Sequence, residues 1–182
     1  MADRAKQQQF TELYQREHSS VLRFVLRRLP AADVTRAEDV TQDAFFTAWR
    51  NLEAVPQDHD QARAWLYSAA RNGLLHERRS LARRGALAVR IADYMEHTVP
   101  SPAGGVETLT DLARAWRSLD ANEQETIALT TWEGLTSAQA AQVLGITAAA
   151  YRIRLMRARN SLRKALEPTN NLMTANFSTA LA

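Results

Sequence analysis

Between Thr136 and Arg159 the chain carries the punctuation of two helices joined by a tight turn, and this constrains its fold more than any other stretch. Thr136 stands three residues before Gln139, the spacing of a capping box, in which each side chain satisfies the other residue's backbone N–H. Gly145 falls where a helix end calls for a left-handed residue, and Thr147 supplies a cap for the next helix. A helix-turn-helix hairpin follows from this order. On a 3.6-residue period Tyr151, Leu155, Ala158 and Leu162 form one apolar stripe, so Tyr151 is assigned to packing. Arg152, Ile153, Arg157, Arg163 and Lys164 lie around the opposite side, with Arg154 and Arg159 flanking the stripe. Tyr151 to Leu166 contains basic residues and no acidic ones, and a helix of that width and field suits the major groove of duplex DNA. Basic surface helices and capped hairpins are each common, so the reading rests on their combination. Candidate DNA contacts are Thr147, Arg152, Ile153, Arg154, Arg157, Arg159 and Arg163, with Ile153 placed to touch a thymine methyl.

The rest of the composition points to an all-α chain. Its 182 residues suffice for one ordinary domain or two small ones, and 6 glycines and 5 prolines leave long stretches of helix formers uninterrupted. The net charge of +3 is modest but segregated: Arg71 to Arg90 and Arg152 to Lys164 are basic, whereas Asp93 to Glu125 is mainly acidic. Two separate basic faces are implied. The lack of cysteine excludes disulfides and thiolate metal sites. His59 and His76 have no ligand-spaced partner, so no metal or cofactor is expected, and no convergent nucleophile and base mark an enzyme. No apolar run approaches the ~18 residues of a membrane span and the N-terminus lacks a signal pattern, which makes the cytoplasm the default location.

Taken in order, residues 1–9 are polar and expected to fray, after which Phe10, Leu13, Tyr14, Val21, Phe24, Val25 and Leu29 recur at helical spacing up to Pro30. Thr35 and Glu38 form a second capping-box pattern, opening a helix to about Leu52. Its apolar arc takes in Phe45 and, by expectation, a buried Trp49. Phe46 falls outside that arc beside Asp39, Gln42 and Asp43, an aromatic among acids and amides that suits a partner surface. Asp60 is the expected cap of a third helix, Ala62 to Leu81, with Trp65 in the core. There Asn72, His76 and Arg79 share one line and Tyr67, Arg71 and Arg78 another. Interleaved amide, aromatic and cationic groups suit an unpaired strand, because a ring can stack on a base while arginines neutralise phosphates. Periodicity then weakens, and the breaker cluster Pro100 to Gly105 marks a flexible linker. Leu112, Trp116, Leu119, Ile127, Leu129 and Trp132 supply the core under the hairpin. The expected organisation is two small helical domains, residues 1–84 and 109–168, joined by a linker over 85–108 and followed by a tail, 169–182, of unassigned role.

Several motifs carry a resemblance. Ala37-Glu38-Asp39-Val40-x-Gln42-Asp43-x-Phe45, Ala48-Trp49, Ala64-Trp65-Leu66-Tyr67 and Ala70-Arg71-Asn72 occur in the first block. Glu133-Gly134-Leu135-Thr136, Leu144-Gly145-Ile146 and Arg154-Leu155-x-Arg157-Ala158-Arg159 occur in the second. Together the blocks, roughly Phe10 to Leu81 and Leu112 to Leu166, resemble the extracytoplasmic-function (ECF) group of bacterial sigma factors. The resemblance implies a subunit without catalytic activity that binds core RNA polymerase and directs transcription initiation at particular promoters. Asp39, Gln42, Asp43 and Phe46 would then grip the clamp helices of the largest polymerase subunit. Tyr67, Arg71, Asn72, His76, Arg78 and Arg79 would hold the melted upstream element, and the C-terminal hairpin would read the more distal one. An anti-sigma partner is implied by the resemblance alone. Ala140 replaces a larger aliphatic, and Ala149-Ala150-Tyr151 replaces Gly-Thr-Val at the start of the recognition helix, so base preference does not carry over. Nor does the base held before the third helix, where the loop is acidic with Asp58 and Asp60. The rival reading is a free-standing repressor or activator that binds duplex DNA as a homodimer through the same hairpin.

Overall fold

A computed structural model describes residues 2–29, 33–80 and 105–167. In chain order these form α1 (Ala2–Leu26), α2 (Val34–Arg50), a single 3₁₀ turn (Leu52–Ala54), α3 (His59–Ser80), α4 (Gly105–Ser118), α5 (Ala121–Thr131), α6 (Ser137–Leu144) and α7 (Ala148–Leu166). Most of the expected linker and all of the tail lie outside the described residues, although α4 already begins at Gly105.

The first three helices pack on one another because each has an apolar stripe. Leu13, Val21, Phe24 and Val25 come from α1, Val40, Ala44, Phe45 and Ala48 from α2, and Ala64, Leu66, Ala70 and Leu74 from α3. Each large side chain removed from water in this way stabilises the fold by roughly 1.5–3 kcal/mol. One position of the α1 stripe is Glu17, which is fully buried. Its carboxylate is matched by Arg63 of α3, whose Nε and Nη2 donate at 2.7 and 3.4 Å, and by Arg16 at 3.2 Å. An unpaired carboxylate there would cost several kcal/mol.

The starts of the first three helices differ from expectation. α1 begins at Ala2, so the polar N-terminal segment is helical. α2 starts at Val34 with Asp33 at the cap position, and the Thr35–Glu38 box does not form. Asp33 instead pairs with Arg36 at 3.6 Å. α3 starts before Asp60, because Asp58 accepts from Gln61 N through its side chain at 3.0 Å and from Ala62 N through its carbonyl at 2.8 Å.

In the second half, α5 opens on a capping box: Asp120 Oδ1 accepts from Glu123 N at 2.8 Å and Glu123 Oε2 from Asp120 N at 3.1 Å. α7 packs against α4, α5 and α6. The two halves also touch, since α6 lies across α3 and the buried side chains of both belong to one hydrophobic core.

Candidate DNA and polymerase interfaces

The hairpin is built as its sequence dictates. Thr136 N donates to Gln139 Oε1 at 2.8 Å, Gln139 N donates to Thr136 Oγ1 at 3.4 Å, and Gly145 turns the chain at φ 67°. Thr147 Oγ1 then accepts from Ala150 N at 3.1 Å, which starts α7. Tyr151, Leu155 and Ala158 are buried, and the Tyr151 hydroxyl donates to the Thr126 carbonyl at 2.8 Å. Burial raises the pKa of that hydroxyl. With the stripe anchored, Thr147, Arg152, Ile153, Arg154, Arg157, Arg159 and Arg163 are all exposed.

Two features of this face escaped the sequence reading. Met156 is 56 % exposed and stands one turn from Ile153, itself 48 % exposed, giving an apolar spot among the arginines. The i, i+3 spacing carried that signal. Arg154 and Arg157 line a shallow depression with Asp120, Asn122, Glu123 and Thr126, so acids at the start of α5 moderate part of the field. A single-helix wheel does not register a neighbouring helix.

On α2, Asp39, Gln42, Asp43 and Phe46 are exposed together, Phe46 by 59 %, with the Arg50 guanidinium 5.7 Å from its ring centroid. Trp49, expected in the core, is 42 % exposed. Ala44, Phe45 and Ala48 fill the seam behind it, and the indole meets only the edge of the bundle, tilted at 71° to Phe10 with centroids 5.1 Å apart. The resulting ridge continues to Tyr14 and extends the exposed aromatic surface beyond Phe46.

The α3 candidates divide. Asn72 and His76 are exposed, and the side chains of Arg78 and Arg79 lie outside the described residues. Tyr67 is buried, its ring stacked on Phe24 at 4.4 Å and 9°. A base needs one open ring face to stack on, and at 3 % exposure Tyr67 offers none, so its expected stacking role is corrected to packing in this arrangement. Burial, reinforced by Glu133, pushes its hydroxyl pKa well up. Arg71 is also engaged, its Nε and Nη2 donating to Glu125 Oε1 and Oε2 at 2.8 and 3.0 Å.

A helical N-terminal unit with an acidic-aromatic outer face is followed by a helix-turn-helix with a cationic outer face, and each half matches a family of the sigma-70 class. Residues 13–84 match the family model for Sigma-70 region 2 and residues 109–162 that for Sigma-70 region 4. The chain is 32% identical over 153 residues to the ECF RNA polymerase sigma factor SigL of Mycobacterium tuberculosis, covering 83% of this chain and 85% of that one. Among solved structures, the sigma factor RpoE of Bartonella quintana, in complex with the anti-sigma factor NepR, shares the fold. Its TM-score is 0.60 at 23% identity, over 88% of this chain and 98% of that one. CnrH, in complex with the cytosolic domain of CnrY, aligns at TM-score 0.55 and 28% identity over 88% and 89%. The chain belongs to the ECF RNA polymerase sigma factors, and it is an alternative sigma factor that directs transcription initiation.

Proposed function

We propose that this sigma factor divides its work among three surfaces. The exposed α2 face of Asp39, Gln42, Asp43 and Phe46 grips core RNA polymerase. α3, through Arg71, Asn72 and His76, takes the melted upstream element, and α7 reads the distal element in the major groove. The observation that carries this is the pairing on one chain of an exposed acid-and-aromatic helix face with an exposed helix face of cations without acids. Neither surface has a structural reason to be exposed in that form. The chain contributes binding energy and no catalytic group.

A cytoplasmic location accords with this role, and among the described residues no helix is long and apolar enough to cross a membrane. An anti-sigma protein is proposed as a further partner, by analogy with CnrH, which was solved with the cytosolic domain of CnrY.

Reconstituted transcription tests the assignment. Wild-type chain should co-purify with core polymerase and start transcripts from a promoter selected from random DNA, while Asp43→Arg and Phe46→Ala should lose co-purification but keep their helicity. Normal co-purification of both variants, or tight binding to a palindromic duplex without polymerase, would overturn it.

A further inference from the structure

The ridge of α7 that points away from the bundle is apolar over its N-terminal half. Ala149, Ile153 and Met156 follow one another at i, i+4 and i+7, all exposed, and Asn160 is the first polar side chain on the same line. At about 100° per residue this line lies roughly 160° from the buried stripe of Tyr151, Leu155 and Ala158, with Arg152 on one flank and Arg157 on the other. Among the described residues of the C-terminal half, the other exposed large apolar side chain is Leu166, at the far end of the helix. Isolated exposed apolar residues are ordinary, whereas a row of them along the crest of a cationic helix marks a contact.

A helix seated in the major groove with its flanking cations toward the phosphate walls turns this ridge to the floor. Isoleucine and methionine can form no base-specific hydrogen bond there, so the donors and acceptors that distinguish the four base pairs pass unread. The apolar group on the floor is the methyl at C5 of thymine. Ile153 and Met156 are about 4.5 Å apart along the helix axis, close to the ~3.4 Å between successive bases, so the two reach methyls on neighbouring pairs. Met156, unbranched and polarisable, adapts to the exact position of such a group. The contact depends on the methyl and not on the ring that bears it. Cytosine methylated at C5 presents the same group at the same place, and unmethylated cytosine leaves a gap.

We propose that Ile153 and Met156 read C5-methyl groups in the distal promoter element, so that this sigma factor responds to 5-methylcytosine there as it does to thymine. The proposal rests on the assignment of α7 to the major groove. Each methyl covered should raise affinity about fourfold. An enzyme that methylates cytosine at C5 within the element would thereby raise occupancy of the promoter with no change in base sequence.

The test uses holoenzyme reconstituted from the full chain and core polymerase, titrated by fluorescence anisotropy against a dye-labelled promoter selected from random DNA. Replacing the thymines of the distal element one at a time by deoxyuridine removes a methyl and keeps the base pair. At one or two positions affinity should fall about fourfold, and at the same positions 5-methylcytosine should bind better than cytosine by a similar factor. These duplexes probe the unaltered chain. Ile153→Ala and Met156→Ala, both at exposed helical positions, should each abolish the response at one position, whereas Arg163→Ala should weaken every duplex and leave the response intact. Equal affinity for thymine and deoxyuridine at every position would overturn the methyl reading and leave α7 in the groove. A response that persists when both residues are alanine would overturn their assignment as the readers. If Arg152→Ala, Arg163→Ala and the double alanine variant all bind every duplex as the wild type does, the placement of α7 in the groove falls, and the proposal with it.

Discussion

The Tyr151 hydroxyl lies 2.6 Å from Thr130 Oγ1 while donating to the Thr126 carbonyl at 2.8 Å, so Thr130 is the donor in the shorter contact. One ring thus suspends the recognition helix from α5. Tyr151→Phe removes both bonds without leaving a cavity; the Thr126 carbonyl keeps its place in the α5 ladder, and the Thr130 hydroxyl loses this acceptor. The substitution should cost about 1–3 kcal/mol, read as a lower thermal midpoint. Base preference in a selection experiment should not change, because the ring lies on the inner face.

Thr41 presents the opposite case. Its hydroxyl is buried in α2 with no hydrogen-bond partner. Thr41→Val replaces the unsatisfied oxygen with a methyl of similar size and should stabilise the chain by about 1 kcal/mol in chemical denaturation, polymerase binding being unaffected. A loss of stability would mean that a water or a rotated hydroxyl satisfies the group.

At the α2 edge, Trp49→Ala should cost roughly 1–2 kcal/mol, below the ~3–5 kcal/mol of a fully buried aromatic, because the indole keeps much of its surface in water and gives up chiefly its contact with Phe10. Urea titration beside Phe45→Ala, which is buried, provides the internal comparison.

Gly145 adopts φ 67°, and a Cβ built there would meet nothing within 4 Å. The penalty of a side chain is therefore backbone strain alone. Gly145→Ala should lower stability by about 1–2 kcal/mol and Gly145→Asn by less, since asparagine tolerates the left-handed region.

Along α7, position should determine consequence. Arg152 is near the N-terminal end, the region closest to base edges in helix-turn-helix docking, and Arg163, bonded to Asn160 at 3.1 Å, is well beyond it. Arg152→Ala should alter which base is preferred and cost about 1–3 kcal/mol at the matching site. Arg163→Ala should weaken all duplexes alike and lower the slope of log affinity against log salt by about one unit. Salt titration on the selected promoter and on a scrambled duplex separates the two.

What could be read from the residues was what local chemistry decides. The Thr136–Gln139 box, the left-handed Gly145 and the Thr147 cap each involve groups within a turn of one another, and all three formed. Thr35 fits the same pattern but lies inside α2, which starts one residue earlier at Val34 with no side-chain cap bond. Tyr67 and Arg71 were legible as a ring and a cation on one helix, but not as occupied ones. Their partners, Phe24 and Glu125, come from other helices, and no periodicity within α3 encodes them. Trp49 failed for a related reason: a wheel gives direction, not how far the neighbouring helix extends.

The outer face of α7 stays uncovered while α6 lies across α3. Its exposed arginines attract any phosphate backbone whatever the sequence, and do so more strongly as salt falls. On the proposed assignment of α7 to the major groove, ordinary chromosomal duplex should act as a reservoir for the free chain. Its supply to polymerase should then depend on that partition as well as on synthesis, and fall as lower salt strengthens the hold of the duplex.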